Sequence, residues 1–452
     1  MPLFLPPVQL GVWNVYTTLM GYGANAHMGL QHGVSQLVPL LDSELRGKKA
    51  KSIINTAHSG ILALSIFVSL GIFFYLIYEE YEFLHSILVG IYIVLQSLTQ
   101  FHILLARSTS RFDIYSISIS LSAFLSTSMI ITALYFFRSD VAFALAGSCL
   151  AQLILLLYLS LSKRYAICIE FNKDWFYKLF KYGRILMILG VLDMMMLTMD
   201  RWLVVSNFGT DALGIYAFAM FFIVFIGAIP AAASQVMYPM LVKAGGSKLA
   251  HDQMSIEYTI PIVSMLANLI AVAVYFLSPY LIINFYPKYL DAINIIKVMI
   301  LGGVLCALNF IPGTSAVAGR RIYGLIKIQI LSLISAFFAA QVLIQFGWEL
   351  IAVAISYDIL FFFCGLGYLY LEINFIKKNN ISAAFFCARI MVPIFIIYFA
   401  ISFLAVGASY DLLSSILTMS AMWVLVILIH FLVNSKNPVF LQLKFLLLKS
   451  FK

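Results

Sequence analysis

Charge is scarce in this chain. Only 10% of its 452 residues are Asp, Glu, Lys or Arg, against 63% hydrophobic, and the mean hydropathy is +1.00. So little charge cannot wet the surface of a soluble domain, and the composition predicts a polytopic helical membrane protein. Short alternating strands are lacking too: the apolar runs far exceed the roughly 9–11 residues of a membrane strand, which excludes a barrel. Cysteine is sparse. Cys149, Cys168, Cys306, Cys364 and Cys387 form no CxxC pair and mostly sit inside apolar runs, so neither a disulfide framework nor a metal site is expected. Nothing matches Gly-x4-Gly-Lys-Ser/Thr, which argues against ATP as the energy source. The opening Met1-Pro2-Leu3-Phe4-Leu5-Pro6-Pro7 has no basic region and no small-residue cleavage site, and does not read as a signal peptide.

What is present is a series of apolar runs of spanning length, at about 11–37, 53–78, 83–106, 112–137, 140–162, 184–206, 212–242, 256–286, 292–318, 322–346, 349–376, 384–406 and 410–433. Hydropathy therefore predicts thirteen spans. All but four of the 28 Lys and Arg residues fall in alternate loops or in the tail; the exceptions are Arg138, Lys288, Arg201 and Lys297. By the positive-inside rule the tail is inside and residue 1 outside. The net charge of +9 is thus a topology signal, and nucleic acid is not an expected partner.

The stretch from Tyr182 to Tyr216 organises the rest. It is long enough to cross a bilayer yet carries Asp193, Asp200 and Arg201, and a charge near the hydrocarbon centre costs roughly 2.5–3.5 kcal/mol on insertion scales. Asp193 and Asp200 lie seven residues apart, nearly two helical turns, so they share a side of the helix. A short loop, Asn207 to Asp211, is expected before the next span. Leu213-Gly214-Ile215-Tyr216 matches Leu10-Gly11-Val12-Trp13, and Tyr238-Pro239-Met240-Leu241 matches Val38-Pro39-Leu40-Leu41, each pair followed by a basic loop. Two repeats of like orientation are implied. A span precedes the second copy and none precedes the first, so a first helix is expected to be missing. The division expected from sequence is 1–162, an N-terminal bundle; 163–183, an amphipathic interfacial linker with Phe171, Trp175, Phe176, Leu179 and Phe180; 184–376, a C-terminal bundle; and 377–452, an extra helix pair with a basic tail whose Val439–Phe451 segment reads as interfacial.

A basic interfacial segment, a span carrying Asp200-Arg201, a Gly-containing outer loop, Leu213-Gly214-Ile215-Tyr216, then a long span with Pro230 and an inner Pro239, together resemble the polysaccharide flippases of the multidrug/oligosaccharidyl-lipid/polysaccharide (MOP) exporter superfamily, the Wzx-type O-antigen translocases. Gln9-Leu10-Gly11-Val12-Trp13 and Gly319-Arg320-Arg321 are similar to elements of that family. The resemblance implies an all-α, MATE-like, two-lobed transporter in the bacterial inner membrane. It would work by alternating access on an undecaprenyl-diphosphate-linked oligosaccharide, among membrane lipids, with a polysaccharide polymerase and chain-length proteins as partners. It implies no enzyme activity and no cofactor, with H+ or Na+ as the coupling ion.

For such a cargo, the first span offers a polar stripe of Asn14, Thr18, Asn25, His32 and Gln36, suited to sugar hydroxyls or, equally, to hydrogen bonds between helices. Arg201, Lys297, Arg138 and His58 could hold a diphosphate, or snorkel to the interface. Asp193 and Asp358 read as the deepest carboxylates, and Asp193, Asp200 and Asp358 are the candidates for ion coupling. A drug or metabolite antiporter of the same superfamily remains the alternative. A polysaccharide polymerase or glycosyltransferase is disfavoured by short outer loops and by inner loops without paired carboxylates.

Overall fold

The computed structural model describes residues 2–38, 46–109, 111–137, 140–161, 168–243, 256–377, 379–404 and 412–434. The described residues are helical throughout, apart from turns and short extended segments. Hydrocarbon offers the backbone no hydrogen-bond partner, so a run of this apolarity must satisfy its own N–H and C=O groups as helix. The helices are α1 (Pro7–Ala24), α2 (Leu30–Leu37), α3 (Arg46–Tyr78), α4 (Phe83–Ser108), α5 (Phe112–Phe136), α6 (Val141–Leu161), α7 (Lys173–Lys243), α8 (Ile256–Phe285), α9 (Ala292–Ala307), α10 (Phe310–Ala318), α11 (Ile322–Gln345), α12 (Glu349–Lys377), α13 (Asn380–Leu404) and α14 (Leu412–Val433). A single 3-10 turn, Pro287–Tyr289, precedes α9.

Among the described residues eleven helices are long and apolar enough to cross a membrane. One of them, Lys173–Gln235, has 63 residues. At 1.5 Å per residue that is about 95 Å, three times the hydrocarbon thickness, so it must hold two spans. They part at Gly209, where φ is 83° and ψ −177°. The five-residue loop expected at Asn207–Asp211 is thus corrected to one non-helical residue, because glycine reaches that backbone region without a Cβ clash. The first expected span is also corrected: it is not continuous but breaks between α1 and α2. Met28 (φ 45°) and Gly29 (φ 83°) are left-handed there, and the Gly29 N–H donates to His27 Nδ1 at 2.9 Å instead of continuing the helix. With the broken pair and the two halves of α7 each counted, the thirteen expected spans are recovered.

The chain divides into two compact units, Met1–Thr198 and Met199–Lys452. In the first, α3 packs on α4, α4 on α6, and α5 on α6. In the second, α8 packs on α9, α9 on α12, and α11 on α12. That is the same order of neighbours, as an internal repeat requires. The extra pair continues the second unit, with α13 against α12 and α14 against α8. The division expected from sequence follows the repeat rather than this packing boundary, and we keep it as a proposal about the repeat.

Residues 173–183 do not form a separate surface helix. They are the first turns of α7, and Leu179 is buried with Leu30, Val34, Ile53, Ile54, Ala57, Ile61 and Phe101, while Trp175, Phe176 and Phe180 pack against that cluster. Gly29, just before α2, and Gly33, one turn further on within it, let α7 come close. A Cβ on Gly29 would come within 2.7 Å of the Gly183 carbonyl carbon, and one on Gly33 would strike the Leu179 backbone. Close backbone approach through small residues is how membrane helices gain contact where water supplies no driving force.

The segment before α7 is fastened as well. Ser52, Asn55, Thr56 and Ser59, on one side of α3, bond residues 168–172. Ser52 and Asn55 donate to the two Glu170 carboxylate oxygens at 2.9 Å each, and the N–H groups of Cys168, Glu170 and Asn172 donate to Asn55, Ser59 and Thr56. The hydrogen bonds from Asn55 and then Ser52 hold the Glu170 carboxyl below the usual range. Outward, large side chains such as Phe67, Phe74, Phe124 and Phe403 stand exposed, as expected for helices solvated by lipid. The Val439–Phe451 segment lies outside the described residues.

Candidate functional site

In the first unit the polar stripe on α1 meets protein. Asn14 is buried, and its side-chain N–H bonds the Leu10 carbonyl at 2.8 Å; Thr18 is buried beside it. Asn25 is half-buried at the end of α1, bonds Gly21 O at 3.4 Å, and lies against Gly190 of α7. Tyr22 donates to Thr198 Oγ1 at 2.8 Å, since that hydroxyl already donates to Met194 O. The break between α1 and α2 places His27 and His32 edge to face at 5.2 Å, and His58 of α3 lies 5.7 Å from His102 of α4. Asn14, Thr18, Asn25, His32 and His58 therefore belong to one helical unit, and the first two are closed off within it.

The second unit gathers carboxylates. Asp200 is buried and accepts the Arg201 backbone N–H at 2.8 Å and the Tyr216 hydroxyl at 3.0 Å. Asp358 is buried on α12 and accepts the Gly302 N–H of α9 at 2.7 Å. Both carboxylates lie within electrostatic reach of Tyr216 and Tyr357. Gly302 is needed there: an added Cβ would stand 2.5 Å from Asp358 Oδ1 and 2.6 Å from Tyr357 Cδ1. The structure thus brings together Asp200 and Asp358, with tyrosines from two further positions. Tyr216 had a signal in sequence, since it closes the repeated Leu-Gly-Ile-Tyr element; Gly302 had none.

Asp193 is corrected. It is exposed, and the deepest carboxylates are Asp200, Asp358 and Glu372. The seven-residue spacing does place Asp193 and Asp200 on one side of α7, but the helix leaves the first unit at Thr198 and its surroundings change between them. Among the cations, Arg201 is half-buried beside Asp200, and Lys297 is half-buried with its ammonium 5.8 Å from the Tyr275 ring centre. Arg138 lies outside the described residues.

Sequence reasoning missed a third group. Glu372 is fully buried, receives Arg321 Nη2 at 2.7 Å and the Ser315 hydroxyl at 2.6 Å, and the guanidinium covers the Phe375 ring at 4.0 Å. Arg321 had been read as a loop cation and Glu372 not at all, because 51 residues separate them. Between α11, α12 and α13 there is an apolar recess of about 850 Å³, lined by Leu331, Phe362, Leu366, Tyr370, Met391 and Phe395 among others. No group of three or more His, Cys, Asp or Glu among the described residues has an arrangement that could hold a metal ion.

Comparison with curated proteins finds no match. Comparison of structures finds an inward-facing multidrug resistance MATE family transporter of the MOP superfamily, at 13% identity and a TM-score of 0.65, over 83% of this chain and 93% of that one. It also finds the lipid II flippase MurJ in an inward closed conformation, at 14% identity and a TM-score of 0.64, over 98% and 92%. These likenesses establish the fold, which this chain shares with both transporters. A family profile described as polysaccharide biosynthesis protein matches residues 7–260, more than half of the chain and the whole of α7. A multi-pass helical protein of MATE-like fold, this chain belongs to the polysaccharide biosynthesis protein family.

Proposed function

We propose that the protein is a flippase carrying an undecaprenyl-diphosphate-linked oligosaccharide, the repeat unit of O-antigen or another surface polysaccharide, across the bacterial inner membrane by alternating access. The observation that carries this reading is membership of a polysaccharide biosynthesis family on a fold shared with a lipid II flippase. The physical problem is the head group: charged phosphates cannot cross hydrocarbon unsolvated, whereas the isoprenoid tail has no reason to leave it. Arg201 and Lys297 are the cations proposed to meet the diphosphate, with Arg138 a further candidate. Asn14, Thr18, Asn25, His32 and His58 are proposed for the sugar, Asn25 and His32 first because they are not closed off. The apolar recess beside α13 suits a lipid tail.

Asp200 and Asp358 are proposed to take up H+ or Na+, since both are buried carboxylates in the second unit and a buried charge calls for a neutralising proton or cation; Asp193 is a weaker third candidate. That pair also supports the second reading, a cation-coupled multidrug or metabolite antiporter. Deletion of the gene distinguishes the two. Loss of one surface polysaccharide with lipid-linked units accumulating on the inner leaflet supports the flippase; unchanged polysaccharide with increased drug sensitivity supports the antiporter. In complementation, Arg201→Ala and Asp358→Asn are expected to fail although both proteins reach the membrane, and wild-type rescue by either removes that residue from the site. A polysaccharide polymerase and chain-length proteins are the partners this reading proposes.

A further inference from the structure

At the Lys- and Arg-poor side of the first unit, read as the outer side, His85 stands in the first turn of α4 with its side chain 7% exposed. Nε2 is directed between two carboxylates, Glu82 Oε2 at 3.4 Å and Asp140 Oδ1 at 3.5 Å, which are 76% and 50% exposed. It makes a hydrogen bond to neither. On the other side of the ring, Nδ1 lies 3.1 Å from the hydroxyl of Tyr16, a fully buried residue of α1. The Tyr16 ring also meets His85 and Tyr81 edge to face, each at 5.5 Å. Asp140 has a second bond, accepting the Ala142 N–H at 2.8 Å at the start of α6. One imidazole therefore touches α1, the turn that closes α3, and α6.

The tautomer follows from electrostatics. A bare Nε2 lone pair facing two carboxylates would be repelled, so the neutral ring carries its proton on Nε2 and accepts the Tyr16 hydroxyl at Nδ1. Adding a proton puts N–H on both nitrogens. Two changes follow: the ring becomes a cation between Glu82 and Asp140, and Nδ1 turns from acceptor to donor, so the Tyr16 O–H must reverse. Also titratable on the surrounding elements are Tyr75 and Tyr78 in the last turn of α3, Glu79, Glu80 and Tyr81 just after it, Tyr92 deeper on α4, Tyr135 at the end of α5, and Cys149 deeper on α6, which bonds Leu88 O.

We infer that His85, Glu82, Asp140 and Tyr16 form a proton-binding site on the outer side of the first unit, at which proton uptake draws α4, the α3–α4 turn and α6 together and reverses a hydrogen bond into α1. Imidazole is the side chain that ordinarily exchanges its proton between pH 5 and 8, and the exposed carboxylates give the proton a path from solvent. The site rests on the first unit alone and holds whatever the cargo.

The test uses the full chain in detergent or nanodiscs. On this proposal the protonated ring joins α4, the α3–α4 turn and α6 and the neutral ring does not, so the wild-type protein should melt a few degrees lower at about pH 8 than at about pH 5.5. His85→Gln should flatten that fall. Should His85→Gln not fold, Glu82→Gln combined with Asp140→Asn, both at exposed positions, should flatten it as well, while Asp140→Asn keeps an oxygen for the Ala142 N–H. Spectra of 13C-labelled histidine identify the His85 signal by difference among the seven histidines; its response to pH should differ between the wild type and the carboxylate variant. An unchanged fall in both variants, or a His85 signal that titrates alike with and without the carboxylates, overturns the proposal.

Discussion

The two units share their helix wiring but not their handling of charge. Among the described residues the buried carboxylates are Asp200, Asp358 and Glu372, all in the second unit, while the first buries neutral or titratable polar groups such as Asn14, Thr18, Gln31, Asn55 and His102. One order of helix neighbours is therefore compatible with two different treatments of buried polarity. A helix plan depends on where apolar surface meets apolar surface, which tolerates many side chains, whereas a buried charge needs a partner at one place. On the proposed function, ion binding belongs to the second unit and neutral contacts with sugar to the first.

The sharpest way to break this comparison is to remove a charge from the second unit. Glu372→Ala leaves Arg321 buried without its partner, and losing one member of a buried pair destabilises by about 3 kcal/mol or more. A large drop in melting midpoint is expected, with much of it recovered when Arg321→Met is added. A smaller effect is expected from Gly302→Ala, whose methyl has no room against Asp358 and Tyr357: overpacking of about 2 kcal/mol. If Asp358 binds the coupling ion, that variant should also lose the stabilisation that Na+ or acid gives the wild type.

The smallest effect belongs to the first unit, where the fastening of residues 168–172 is neutral or solvent-exposed. Asn55→Ala should speed maleimide labelling of Cys168, the one exposed cysteine of the five, by about fivefold, the population change of one net hydrogen bond. The sign with pH is fixed by Glu170. Its carboxyl is held low, so the fastening is complete above the ordinary Glu pKa and is lost as pH falls through and below it. Relative to a free thiol at the same pH, labelling at Cys168 should be enhanced in acid, and Glu170→Gln should remove that dependence. If Asn55→Ala proved as damaging as Glu372→Ala, the contrast between the units would fail.

Much of the fold was legible in the sequence because a bilayer imposes one strong rule on long apolar runs. Where the rule is silent the reading went astray. The break at Met28 and Gly29 is invisible to hydropathy, which averages over a window wider than the break. Trp175 and Phe176 alternate with lysines as a surface helix would, yet Gly29 and Gly33 let the backbone at Gly183 and Leu179 come close, and Gly60 leaves room for the Phe176 ring. At the candidate site, the seven-residue spacing of Asp193 and Asp200 said nothing about what lies beside each: Asp193 is exposed and Asp200 buried.

By itself, then, the sequence determined the membrane class, the spans, the expected orientation and the repeat, all of which follow from summed hydrophobicity and from the placement of Lys and Arg along the chain. The tertiary structure alone decided which carboxylates are buried, that Arg321 and Glu372 meet, and that His85 lies between Glu82 and Asp140. Those facts depend on contacts between helices far apart in the chain, and periodicity within one helix carries no record of its neighbour.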